Sequence, residues 1–213
     1  NIFYITFLFL SSIQLSLSQA CVVTVSPLDT TICPGDTVFI NAQASLNAAG
    51  QYFDFNSGTL PPGWTVSGTT SFTSPCGASP SGTPYYWAST AVGTPGISTA
   101  AFDITCGGSI TFNMLYAIQG GGSPCEGPDL ANEGVELQYS LDGGATWITI
   151  VYYSPGGYTL PNNPGTSGSV AGAGGTPYTV WNTFTVPIPP GALSTSTMFQ
   201  WTQQWSSGSC CDN

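Results

Sequence analysis

Any chemistry in this chain must come from carboxylates, phenols and thiols. The 213 residues include ten Asp and Glu and no Lys, Arg or His, for a formal net charge of −10. Without a cationic side chain there is no partner for a phosphate backbone, so nucleic acid is excluded. Ser-His-Asp and Cys-His catalysis, Schiff-base lysines and histidine metal sites are excluded on the same ground. Half of the acids, Glu126, Asp129, Glu133, Glu136 and Asp142, fall within seventeen positions. With no basic side chain to neutralise them they must repel or share an ion. Two readings stand side by side: a solvated acidic loop, or a site for Ca²⁺, which takes hard oxygen ligands. The spacing is not that of an EF-hand. Paired carboxylates also serve glycoside hydrolysis, and ten acids offer many pairs.

The most specific local pattern is Ser140-Leu141-Asp142-Gly143-Gly144-Ala145-Thr146-Trp147, which fits S-x-D-x-G-x-x-W, the Asp-box. Its residues Ser140, Asp142, Gly144 and Trp147 have a structural use. Asp-Gly favours the positive φ that a tight hairpin needs, the Asp side chain can accept backbone N–H bonds, and Trp147 covers the turn. Such boxes occur in sialidases too, but those enzymes hold their substrate carboxylate with arginines, and this chain has none. Trp64, Tyr85, Tyr86, Trp87, Tyr152, Tyr153 and Tyr158 offer rings for stacking on a sugar, or for a core.

Seven cysteines, Cys21, Cys33, Cys76, Cys106, Cys125, Cys210 and Cys211, read as disulfides of an oxidising compartment, since neither a CxxC pair nor a histidine supports zinc. The pairs expected are Cys21–Cys33 and Cys76–Cys106, with Cys125 reaching Cys210 or Cys211; the odd count leaves one thiol over. An oxidising compartment agrees with the start of the chain. Ile2 to Leu17 is mostly apolar, and Ser18-Gln19-Ala20 places small residues where signal peptidase reads them. Residues 1–20 are therefore read as a signal peptide cleaved after Ala20. The alternatives are a membrane anchor, for which the run is short, and a lipoprotein acylated at Cys21.

The elements that must position these residues are strands. Hydrophobic residues make up 41% of the chain, enough for a core, while 27 Gly and 17 Pro break it into short pieces. Val22–Val25 and Thr37–Ile40 flank a turn at residues 31–36. Residues 21–48 resemble the opening strands of an Ig-like module and are too few for a whole one. Further runs are expected near residues 52–55, 64–66, 85–87 and 101–104. Ile110, Phe112, Met114, Tyr116 and Ile118 alternate with polar residues, and Val135–Ser140 alternates likewise before Trp147–Tyr153. Residues 155–177 read as a long Gly-, Pro- and Ser-rich loop. Thr183–Val186 and a face of Phe199, Trp201, Gln203 and Trp205 complete the pattern, and no amphipathic helix is found. The fold class is all-β, an antiparallel sandwich or jelly roll, with a barrel as the alternative.

These residues carry a family resemblance. Gly63-Trp64, Cys106–Phe112, Cys125–Asp129 and Glu133–Ser140, closing on the Asp-box, resemble the reelin-type subrepeat, most of all the versions in bacterial secreted surface proteins and adhesins of gliding bacteria. The resemblance covers about residues 52–213, within a domain taken as 49–213. It implies a jelly-roll β-sandwich, often with bound calcium, serving adhesion or recognition. It also implies calcium ligands at Asp54 and Asp212, with Glu133 from the acidic loop and Glu126 and Asp129 as further candidates. Members usually carry an Arg in the segment matching Thr94–Thr99 and another near Gln200; this chain has neither. Cys210–Asn213 resembles the start of the family's last strand, which implies a jelly roll cut short at that strand.

The expected function is a non-catalytic, extracellular β-sandwich module of a larger secreted or bacterial cell-surface protein. Its partners would be a surface protein, a glycan or copies of itself, with no membrane span once the leader is cleaved. Three alternatives remain: a carbohydrate-binding module with exposed aromatics and a calcium-braced loop, a filament subunit, and a carboxylate-only glycosidase.

Overall fold

In the computed structural model, residues 7–26, 41–48, 50–80, 82, 84–89, 94–116, 134–153 and 181–203 are described, with backbone alone for the first two segments. Twelve strands are found among them: β1 (Phe7–Ser26), β2 (Asn41–Ala48), β3 (Gln51–Asp54), β4 (Thr65–Ser67), β5 (Thr69–Thr73), β6 (Tyr85–Ser89), β7 (Gly96–Ser98), β8 (Gly108–Tyr116), β9 (Val135–Ser140), β10 (Ile148–Tyr153), β11 (Asn182–Pro187) and β12 (Met198–Gln203). One 3-10 turn, Pro190–Ala192, is the only helical element among the described residues.

All the pairings are antiparallel, in two sheets. One runs β11-β8-β1-β6-β5, with β2 and β3 also paired to β1; the other runs β10-β9-β12-β7-β4. The expected all-β antiparallel sandwich is what the chain forms. Alternation sets the inner faces. Ile110, Phe112 and Met114 of β8 are buried, as are Val135, Leu137 and Tyr139 of β9 and Phe199 and Trp201 of β12. They meet in one core cluster drawn from both sheets. Phe112 lies at its middle: its ring stacks on Phe184 at 5.4 Å and meets Trp201 and Tyr153 edge-on at 5.3 and 5.8 Å. Edge-to-face contact suits the ring quadrupoles and adds to the area they bury.

A second, smaller cluster covers the other face of the larger sheet. Tyr85 and Leu115 are buried there against Cys76, Trp87 and Trp181. Tyr85 and Tyr86, adjacent on β6, thus fall into different clusters, as a two-residue period demands. The Tyr85 hydroxyl accepts the Cys76 N–H at 3.0 Å, and Trp181 Nε1 donates to the Ala78 carbonyl at 3.0 Å.

Several strands escape the period argument. β5 is Thr-Thr-Ser-Phe-Thr and β7 is Gly-Ile-Ser, too polar or too short to be read from alternation. At residues 101–104 the expected strand shrinks to one bridge, Phe102 with Thr197. The expected strand Thr37–Ile40, the loop 155–177 and Trp205 lie outside the described residues.

The largest difference is at the start of the chain. β1 runs without a break through Ala20, where cleavage is expected. Its residues 8–17 pair with β8, 7–10 with β6 and 12–15 with β3. Beyond Ala20 it forms a hairpin-like pair with β2, Cys21 opposite Leu46 through Ser26 opposite Asn41. The leader reading and this strand give one segment two roles. The register slips between Ser18 and Cys21, at the expected cleavage point.

Candidate functional site

The turn from Ser140 to Trp147 closes the β9–β10 hairpin, and its geometry follows from two side chains. Ser140, the last residue of β9, is 1% exposed. Its hydroxyl donates to Asp142 Oδ1 at 2.7 Å and accepts the N–H groups of Gly144 at 2.9 Å and Asp142 at 3.3 Å. Asp142 Oδ1 also accepts the Thr146 N–H at 2.9 Å, and Oδ2 accepts the Thr146 hydroxyl at 2.6 Å. The chain can fold back so tightly because Gly143 and Gly144 adopt φ of 74° and 91°. Trp147 lies over the turn: a Cβ on Gly144 would come within 3.3 Å of its ring. Bonds from the Thr146 hydroxyl, the Thr146 N–H and the Ser140 hydroxyl, in that order, hold the Asp142 carboxyl down at about 2. This carboxylate is a turn's anchor with both oxygens occupied.

The other described carboxylates are engaged in the same manner. Asp103 Oδ1 accepts the N–H and hydroxyl of Thr105 at 3.1 and 2.9 Å. Asp54, proposed for calcium, accepts the Asn56 N–H at 3.3 Å and the Asn56 side-chain amide at 3.4 Å, a local turn after β3. Glu136 Oε2 accepts the Thr149 hydroxyl at 2.8 Å and the Gln138 amide at 2.5 Å. Glu126, Asp129, Glu133 and Asp212 lie outside the described residues. Among the described residues no three His, Cys, Asp or Glu come together as a metal site would need. Asp54 alone does not make one, so the calcium set rests on residues beyond them.

Sequence reasoning missed a polar row on the outer face of the smaller sheet. Thr149 of β10 stands opposite Gln138 of β9, Gln138 opposite Gln200 of β12, and Gln200 opposite Ser98 of β7. The Ser98 hydroxyl donates to Gln200 Oε1 at 3.3 Å. With Glu136 beside it, the row is a band of hydrogen-bonding groups across four strands. Its signal was available: Glu136 and Gln138 are the outward places of an alternating strand. Gln200, which stands where the resemblance leads one to expect an Arg nearby, is a member of this row.

Of the two uses expected of the aromatics, sugar stacking or core, four of the rings serve the core. Trp64, Tyr85, Tyr86 and Tyr153 are buried. Tyr86 is sunk deeply enough that burial pushes its hydroxyl well above the ordinary phenol range. Tyr152 is half-buried, and its hydroxyl accepts the Gly134 N–H at 2.9 Å. Trp87 packs on the smaller cluster, and Tyr158 lies outside the described residues. Rings this large contribute more by leaving water than by waiting for a ligand. Tyr152 and Tyr153 do fall on opposite faces, as adjacent strand residues must.

Cys76 and Cys106 are both disulfide-bonded cysteines. Cys33, Cys125, Cys210 and Cys211 lie outside the described residues, and for Cys21 only the backbone is described. Among the described residues no helix is long and apolar enough to cross a membrane, which says nothing of crossing by strands.

Two comparisons bear on these features. No curated protein matches the chain. The family model of reelin subrepeat B matches residues 68–212, more than half of the chain and the part that holds β5 to β12 with the Asp-box hairpin. The chain therefore belongs to the reelin subrepeat B family, whose members are extracellular, β-rich structural modules.

Proposed function

We propose that this chain is a non-catalytic module of a secreted or bacterial cell-surface protein, and that it works in adhesion or recognition through the outer face of its smaller sheet. One observation supports this above others. Each described carboxylate is held by neutral N–H or O–H donors of its own turn or sheet, while Thr149, Glu136, Gln138, Gln200 and Ser98 form a polar band across four strands of the smaller sheet. Hydrogen-bonding groups spread across four strands of a sheet face suit a protein surface better than a small substrate, whose sites converge a few polar groups in a cleft. Export, disulfide-bonded Cys76 and Cys106 and the leader over residues 1–20 belong to the same reading. The glycosidase alternative has no observation in its favour. The glycan-binding alternative loses its ring platform to the core.

The test is adhesion by the module itself. Beads carrying it should be retained on intact bacterial cells or on a surface coated with the module. Gln138→Lys with Gln200→Lys, which places two charges in the middle of the band, should abolish retention at unchanged melting temperature. Retention equal to that of blank beads, or unaltered in the double variant, would refute the reading.

A further inference from the structure

Strand β1 lies between two ladders. On one side Leu8 to Leu17 pair with Tyr116 to Gly108 of β8. On the other side Phe7 to Leu10 pair with β6, and Ser12 to Leu15 pair with β3. These are the residues that also read as the apolar stretch of an export leader. Cleavage after Ala20 would remove the part of β1 that holds β8 to β6 and β3. The backbone N–H and C=O groups of β8 would then face those of β6 and β3 across a gap one strand wide, roughly 10 Å from strand to strand. Unpaired ladder groups in the interior of a sheet are costly, and an open pair of edges templates the addition of a strand.

We propose that, in the exported protein, this gap is a strand-acceptor slot that takes an uncharged extended segment of a second polypeptide by β-strand addition. The proposal rests on the leader reading. The register states what the guest must carry. The stations opposite Ile110, Phe112 and Met114, all buried, are held by Leu15, Ile13 and Leu10. Leu10 also stands opposite Tyr86, buried in the same cluster. A guest therefore needs aliphatic residues at three stations, two residues apart and then three, the longer step crossing the slip between Leu10 and Ile13. A slip of one residue on the near side would put its polar residues over the core, so the pattern is selective. A charge at any of these stations would be buried in a sheet with no basic side chain to meet it.

The chain is expressed in full in an exporting host, and the N-terminus of the product is sequenced. A start at Cys21 is expected. The processed chain is then titrated with a tagged synthetic peptide of residues 5–18 as the probe. The expected result is saturable one-to-one binding with at least tenfold slower amide exchange in β8, β6 and β3. The same peptide with Leu10, Ile13 and Leu15 replaced by Asp should not bind. If the processed chain is insoluble alone, the two peptides are compared in co-secretion, and recovery with the native peptide alone supports the slot. A product that begins before Phe7 overturns both the slot and the leader reading, since the segment is then the module's own strand. A start at Cys21 with no binding, no recovery, or equal effects of the two peptides overturns the slot and leaves the leader reading intact.

Discussion

Replacing Ser140 by Ala asks whether the Asp-box is held by its serine as the geometry says. The hydroxyl is 1% exposed and serves the N–H groups of Gly144 and Asp142 while donating to Asp142 Oδ1. Alanine keeps the strand end and removes all three bonds, and no water replaces them without entering a buried corner. At about 0.5–1.5 kcal/mol net for each backbone bond, the two lost N–H partners together cost roughly 1–3 kcal/mol. For a chain of this size about 2 kcal/mol lowers Tm by roughly 4–8 °C. Leu141→Ala, one residue along and 48% exposed, is the control and should shift Tm by less than about 1 °C. Thermal unfolding followed by near-UV circular dichroism reads both, because Trp147 over Gly144 reports on the hairpin. If Ser140→Ala melts within a degree of the parent, the hydroxyl network is not what closes the turn.

Three further outcomes follow from the charges. The Asp142 carboxyl, held at about 2 against 3.8 when free, contributes stability that is fully present above pH 4 and is lost as pH falls towards 2; the Tm difference between parent and Asp142→Asn should therefore be constant from pH 5 to 7 and close between pH 4 and 2. A gap that persists at pH 2 would mean that the anion is not the stabilising form. With ten acids and no cationic side chain, every side-chain charge–charge term is repulsive, so NaCl raised from 10 to 150 mM should increase Tm; a decrease measured by calorimetry would reveal attractive terms that the composition does not provide. We expect millimolar CaCl₂ at constant ionic strength to raise Tm by several degrees over EDTA through the acids at 126, 129 and 133. Superimposable curves would make that stretch a solvated loop.

The two-residue period made much of the sandwich legible. β9 follows Val135–Ser140 as read, and β8, β10 and β11 start within two residues of where they are expected, because alternation sets apolar side chains on the face that the other sheet covers. Polar β5 and three-residue β7 carry no such pattern; they are strands because β6 and β12 offer them hydrogen bonds. A tight hairpin between β9 and β10 was legible at residues 140–147, since such a turn is decided by local chemistry. The role of the aromatics was legible only as two alternatives, core or stacking surface. A ring at a strand position looks the same in sequence whether the facing sheet covers it or leaves it bare, and Tyr153 is covered by Phe112 and Phe184, far along the chain. The outer polar row was missed for a related reason. Gln138, Gln200 and Ser98 become neighbours only once β9, β12 and β7 are aligned.

The lack of cations shapes how this fold handles its acids. In most sandwiches an exposed carboxylate on a sheet can face a Lys or Arg on the next strand. Here Glu136 faces hydroxyl and amide donors, Thr149 on the neighbouring strand and Gln138 on its own. A neutral donor satisfies the oxygen without cancelling its charge, so the outer face stays negative while Glu136 Oε2 is hydrogen-bonded. Such a surface repels other acidic surfaces at long range and, at contact, offers partners an ordered set of amide and hydroxyl groups. That combination favours slow, short-range recognition over electrostatic capture. It also means that association through this face should strengthen as salt is added, the reverse of what a basic adhesive surface would show.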